Sequence, residues 1–125
     1  MENKTKIHSF TDLIAWQKAH QFVLNIYKRV STFPKEEIYG LSSQLKRAVI
    51  SITSNIAEGF SRRTNKDKIQ FYYIALGSLT EVQNQIVIAR DLKLIKNEDF
   101  QELASFSIEI SKLINSLIKN LSSIS

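Results

Sequence analysis

Leu41-Ser42-Ser43-Gln44-Leu45-Lys46-Arg47-Ala48-Val49-Ile50-Ser51-Ile52-Thr53-Ser54-Asn55-Ile56-Ala57-Glu58-Gly59-Phe60 is the stretch on which the fold turns. Leu41, Leu45, Ala48, Ile52 and Ile56 recur at steps of three and four, the spacing of one face of an α-helix. Gly59 is expected to end that helix, because glycine accepts the left-handed position past a helix terminus, with Phe60 making the hydrophobic contact of a Schellman ending. Upstream, Phe33-Pro34 breaks the chain, since proline and the residue before it both resist a helix interior. The helix is therefore expected over residues 36–58, with Glu36 and Glu37 in its first turn complementing the dipole.

The same spacing continues on both sides. Leu13, Trp16, His20, Val23, Tyr27 and Val30 mark a helix over 12–31, with Thr11 or Asp12 as its cap. Thr64-Asn65-Lys66-Asp67 has the spacing of a capping box, with aspartate in place of the usual Glu or Gln, and opens a third helix over 65–92. Its face runs through Tyr72, Leu76, Leu79, Ile86 and Leu92. Lys93 to Asn97 reads as a connection, and Asn97-Glu98-Asp99 as the start of a fourth helix over 98–121. Leu103, Phe106, Ile110, Leu113, Leu117 and Leu121 carry that face. Four helices of about 20 residues, each roughly 30 Å long, joined by short turns, predict an antiparallel up-down-up-down four-helix bundle.

Composition agrees with an all-α reading. A chain of 125 residues suits one domain, here residues 1–125, and 43% hydrophobic with 23% charged residues excludes a disordered tail or a collagen-like rod. Three glycines and one proline are too few for the hairpins of a sandwich or barrel. The absence of cysteine removes disulfides, thiolate nucleophiles and cysteine-type zinc sites, and fits a cytoplasmic protein. The first ten residues lack the apolar core of a secretory signal, and no apolar run approaches the roughly 20 residues of a membrane span, so no membrane association is expected. Asn3-Lys4-Thr5 and Asn120-Leu121-Ser122 match the glycosylation triplet; without an export signal both read as chance.

The third helix carries more apolar residues than one core face absorbs. Phe71-Tyr72-Tyr73-Ile74 and Ile86-Val87-Ile88 are consecutive, so they point around the helix. Either an inner helix has a wide stripe or a second subunit covers the surplus. Gly77 in the same helix is expected to offset its cost in propensity by a close helix–helix approach. The fourth helix, with Ile108, Ile110, Ile114, Leu117 and Ile118, is similarly broad.

Few residues advertise chemistry. His8 and His20 have no carboxylate at metal-site spacing, so no metal or other cofactor is implied, and His20 reads as the edge of a packed face. Glu58 and Glu81 stand alone, where acid–base catalysis needs converging groups with displaced pKa values. No phosphate-cradling glycine loop or nucleophile elbow is present. No catalytic residue is assigned, and the chain is not expected to be an enzyme.

Charge is more informative. The chain carries +5, with 17 Lys and Arg against 12 Asp and Glu. Residues 46–68 hold six cations against two anions, while the stretch from Asn97 onward holds two against four. Arg62, Arg63 and Lys66 fall at the turn between the second and third helices, beside the N–H donors opening the third helix, where an anion is favoured. Lys68 extends this patch, and Lys46 and Arg47, more than two turns back, form a separate flank. Arginine's planar fork suits phosphate oxygens. The alternative is that Arg62 and Arg63 are solvated turn charges. No aromatic interleaving or base-reading motif accompanies them, so sequence-specific readout is not expected.

Phe10-Thr11-Asp12-Leu13-Ile14-Ala15-Trp16-Gln17-Lys18-Ala19, Phe33-Pro34-Lys35-Glu36-Glu37-Ile38-Tyr39-Gly40-Leu41, Ser54-Asn55-Ile56-Ala57-Glu58-Gly59-Phe60 and Phe71-Tyr72-Tyr73-Ile74-Ala75-Leu76-Gly77-Ser78-Leu79-Thr80-Glu81 stand in that order. Together these segments resemble the bacterial four-helix-bundle proteins linked to the 23S rRNA intervening sequence, across nearly the whole chain. Thr53 stands where that family often has proline, and Leu76 where it often has a basic residue, which removes one positive charge. The resemblance implies a homopentamer, which would cover the surplus apolar faces. Five copies of a +5 chain reach about +25, enough for a modest patch to hold a polyanion by avidity. A related group, the accessory proteins of diversity-generating retroelements, works with a reverse transcriptase and nucleic acid. The expectation is a non-catalytic oligomeric bundle that binds structured RNA through Arg62, Arg63, Lys66 and Lys68, with Lys46 and Arg47 secondary. The alternative is a protein–protein adaptor for a reverse transcriptase or another nucleic-acid enzyme.

Overall fold

The computed structural model describes residues 6–124; Lys4 and the triplet Asn3-Lys4-Thr5 lie outside them. Four α-helices follow in order: α1 (Ile14–Val30), α2 (Leu41–Ser61), α3 (Asn65–Asp91) and α4 (Asn97–Ile124). No strand occurs among the described residues. Each helix packs on its neighbours in sequence, and α1 closes on α4. Lys46 near the start of α2 lies over the ring of Tyr27 near the end of α1. Asn65, opening α3, donates to the Leu121 carbonyl near the end of α4 at 3.4 Å. Arg29 near the end of α1 meets Asp99 at the start of α4. These pairings make successive helices antiparallel, the four-helix bundle expected. Among the described residues no helix is long and apolar enough to cross a membrane.

The core is a single cluster. Leu45, Ala48, Val49, Ile52 and Ile56 of α2 meet Tyr72, Ala75, Leu79, Val82 and Ile86 of α3, all at most 2% exposed. From α4 come Leu103, Ile110, Ile114 and Ile118, with Ser107 buried among them; Phe106, Leu113, Leu117 and Leu121 flank this line half-buried. Of the broad apolar set on α4 only Ile108 is left outside, at 52% exposed. Leu92, expected in the core of the third helix, lies beyond its end and is exposed.

The first helix turns a different face inward. Ala15, Ala19, Phe22, Ile26 and Val30 are its buried residues, whereas Trp16 and Val23 are half-buried and His20 and Tyr27 are exposed. Two stripes of similar spacing run along this helix. The one with small alanines lets α1 approach its neighbours closely, and the bulkier amphipathic stripe stays at the margin. His20 there stacks on Trp16, ring centroids 4.7 Å apart. The cap also differs. Ser9 caps a 3-10 turn, Phe10–Asp12: its hydroxyl accepts the Thr11 N–H at 3.1 Å, while Asp12 accepts N–H bonds from His8 and Ser9. Those two N–H donors hold the Asp12 carboxyl below its ordinary pKa.

Glycine positions supply further corrections. The second helix begins at Leu41, not residue 36, because Pro34 leads into a separate 3-10 turn, Lys35–Glu37. Gly59 does not end α2: it is helical and buried against the Tyr72 ring, and the helix runs on to Ser61. The Schellman geometry appears instead after α3. There Lys93, at φ 64°, takes the left-handed position, Lys93 N–H bonds the Arg90 carbonyl at 2.9 Å and Leu94 N–H bonds that of Ala89 at 2.8 Å. Gly77 makes no close helix approach among the described residues, since the space where a Cβ would stand is open.

Candidate nucleic-acid interface

The turn joining α2 to α3 is short because both helix ends are closed by local chemistry. Thr64 accepts the Asp67 N–H at 3.1 Å, one half of the expected capping box. The Lys68 N–H reaches the Thr64 carbonyl, and among the described residues the N–H groups of Asn65 and Lys66 have no partner. An open pocket here is lined by Glu58, Ser61, Arg62, Arg63, Thr64 and Asp67. Two carboxylates therefore share the space with the cations.

The six basic residues singled out from sequence have different surroundings. Arg62 pairs with Glu58 at 2.7 Å, one turn back on α2, and its guanidinium lies 4.5 Å from the Phe71 ring centroid. Lys68 folds back on the end of α2, its ammonium donating to the Phe60 carbonyl at 2.6 Å and lying over the Phe60 ring. Arg63 and Lys66 are exposed and, among the described residues, hold neither an ion pair nor a side-chain hydrogen bond. Arg62, Arg63 and Lys66 thus gather at the turn, with Lys68 beside them.

Lys46 and Arg47 do not form one flank. Consecutive residues on a helix point about 100° apart, so Lys46 turns toward Tyr27 of α1 while Arg47 turns toward α3, where it binds Glu81 and, at 2.8 Å, Gln44. About 22 Å of helix rise separates Arg47 from the turn. Sequence reading also missed the two rings, Phe60 and Phe71, that hold Lys68 and Arg62. Their nearness to the basic residues in the chain was the available signal. Cation–π contact of this kind fixes a long side chain without neutralising it.

The rest of the surface offers little chemistry. Among the described residues no three His, Cys, Asp or Glu side chains cluster as a metal site. An apolar concavity between Leu13, Ile14, Leu113 and Leu117 contains no cation.

The fold defines a small all-helical bundle whose α2–α3 turn places Arg62 and Arg63 beside Glu58 and Asp67. A model of the 23S rRNA-intervening sequence protein family matches residues 11–116, and the chain belongs to that family. No curated protein matches it. Among solved structures it is similar to a protein of unknown function from the S23 ribosomal protein family of Bacteroides thetaiotaomicron, with a TM-score of 0.76 and 27% identity. That match covers 85% of this chain and 99% of the other.

Proposed function

We propose that this protein is a non-catalytic, cytoplasmic bundle that assembles into a homo-oligomer, a pentamer by family likeness, and binds structured RNA by backbone electrostatics. The observation that carries this reading is the pair Arg63 and Lys66, exposed and uncommitted beside the free N–H groups that open α3. Arg62 and Lys68, held by Phe71 and Phe60, are presented at the same corner. Lys46 and Arg47 are secondary, each engaged on a different side of α2. Assembly is supported by two exposed apolar pairs on α3, Tyr73 with Ile74 and Val87 with Ile88, which are 36–58% exposed and which a second subunit would cover.

Sedimentation and RNA titration test the two parts. The expected results are a particle several times 14.4 kDa at micromolar concentration and binding to a stem-loop RNA that weakens steeply with salt. A lone 14.4 kDa particle, or no binding at low salt, would overturn the reading. The same apolar residues favour a second reading, an adaptor for a reverse transcriptase or another nucleic-acid enzyme. A protein partner retained after nuclease treatment and in high salt would select it.

A further inference from the structure

Gly77 stands in the middle of α3 with open space where a Cβ would be, although glycine is among the poorest helix formers. Gly77, Thr80, Asn84, Val87 and Asp91 recur at steps of three and four and are all exposed. Gln83 reaches Ser107 of α4 on one side of this line, and Ser78 and Glu81 reach Ser51 and Arg47 of α2 on the other. The line therefore runs along the side of α3 turned away from the core.

Another line of the same spacing runs along α1. Ile14, Gln17, Gln21, Leu24 and Lys28 are all exposed, Ile14 at 61% and Leu24 at 58%. They lie between Lys18, which pairs with Glu109 of α4 at 3.7 Å, and Tyr27, which meets Lys46 of α2. Among the described residues α1 and α3 do not pack on one another, so they are the diagonal pair of the bundle and their outward lines face away from each other. Because successive helices are antiparallel, α1 and α3 run in the same direction.

Laid side by side in that direction, the two lines match position by position. Ile14 falls on Gly77, Leu24 on Val87 and Lys28 on Asp91, with Gln17 on Thr80 and Gln21 on Asn84 between them. A large apolar side chain meets the position without one, apolar meets apolar, amide meets amide, and cation meets anion. Alternating steps of three and four are the spacing at which parallel helices interlock. Charge favours this pairing over α1 or α3 laid parallel on its own copy, which would set Lys28 on Lys28 or Asp91 on Asp91. α1 contains no Asp or Glu, and the acids of α4 beside it, Asp99, Glu102 and Glu109, are held by Arg29 and Lys18. Among the described residues Lys28 enters no ion pair, Asp91 pairs with its neighbour Arg90 alone, and the side-chain amides of Gln21 and Asn84 have no partner. Gln17 donates to the Thr11 carbonyl at 2.9 Å.

We infer that the outward side of α1 in one copy of this chain packs in parallel against the outward side of α3 in the next, with Ile14 seated over Gly77 and Lys28 paired with Asp91. The two surfaces differ, so the contact is heterologous: every copy offers one of each, and the contacts close into a ring when the rotation between copies permits. The exposed apolar residues of α3 thus meet a different face of the neighbouring chain and not their own counterparts. Ile88 flanks the α3 line on its α2 side, and His20 and Tyr27 flank the α1 line on its α2 side, so these flanks come together along the same contact.

This inference rests on the homo-oligomer part of the reading above, and disulfide trapping separates the two, because the chain has no cysteine of its own. Gln21→Cys and Asn84→Cys are made as separate full-length proteins, both sites being exposed; a disulfide forms only where Cα atoms come within about 7 Å. After brief mild oxidation an equimolar mixture is expected to yield a covalent dimer with one chain of each kind, while either protein alone yields none. Gln70→Cys, about 21 Å from Asn84 along α3, gives no product with Gln21→Cys. Sedimentation supplies a second readout: Lys28→Glu and Asp91→Lys each weaken assembly on the order of tenfold at low salt, and the two combined in one chain restore it. A dimer formed by Asn84→Cys alone would mean that α3 packs on its own copy and would overturn the inference, as would a combined charge variant that assembles no better than either single one. If the parent sediments as several copies and the mixture does not cross-link, this contact is wrong and the assembly reading stands. A parent that sediments as one chain of 14.4 kDa removes both and leaves the two lines to a different protein.

Discussion

Gly59 of α2 faces the ring of Tyr72 on α3 so closely that a Cβ on Gly59 would stand 2.7 Å from that ring and 3.1 Å from the Phe71 Cβ. The ring belongs to a buried side chain anchored in α3, so it cannot swing aside as a flexible chain end would. Gly59→Ala is expected to destabilise the chain by about 1–2 kcal/mol, overpacking outweighing the gain in helix propensity. Gly77→Ala, with open space around it, is expected to stabilise by about 0.5–1 kcal/mol. Urea unfolding measures both, and shifts of the same sign would contradict the contrast.

Burial pushes the Tyr72 phenol above its ordinary pKa of 10.0. The folded state therefore favours the protonated phenol. That contribution is fully present below pH 10 and is lost as pH rises through the folded pKa, because the unfolded chain ionises first. Tyr72→Phe should lose less stability than the parent between pH 9 and 11. Thermal melts across that range check it; parallel pH profiles would count against a buried Tyr72 phenol.

Lys93 carries the left-handed residue of the α3–α4 connection with a full side chain. A non-glycine residue in that region costs about 1–2 kcal/mol, less what glycine adds to the freedom of the unfolded chain. Lys93→Gly should raise stability by about 0.5–1 kcal/mol. A lower melting temperature for this variant would mean that the Lys93 side chain contributes more than its backbone conformation costs.

Helices α3 and α4 were legible because large apolar residues at steps of three and four coincide with Thr64 and Asn97 at their boundaries, while α2 was legible in its apolar face and not in its ends. α1 was half legible: periodicity revealed the helix, but a core line built on Ala15 and Ala19 weighs less than the amphipathic stripe of Trp16, His20 and Tyr27 beside it. Gly59 misled because glycine serves equally for a left-handed ending and for close approach between helices, and only the position of Tyr72 distinguishes them. Counting charges along the chain joined Lys46 to Arg47, and helical rotation separates them.

The partners of the basic residues rank their roles at the proposed RNA interface. Arg47 must give up Glu81 and Gln44 to reach a phosphate, and Arg62 must give up Glu58, so each gains only the difference between two ionic contacts. Arg63 and Lys66 give up only water. Arg63→Ala/Lys66→Ala should therefore lower the logarithmic salt slope for single-stranded RNA by about 1.4. Arg47→Ala should leave that slope nearly unchanged, while lowering stability by less than about 1 kcal/mol, the scale of an exposed ion pair. Anisotropy titrations of both variants, paired with melts, decide the matter. A slope reduced as much by Arg47→Ala as by the double change would show that the pair with Glu81 opens on binding, and the ranking by free cations would fall.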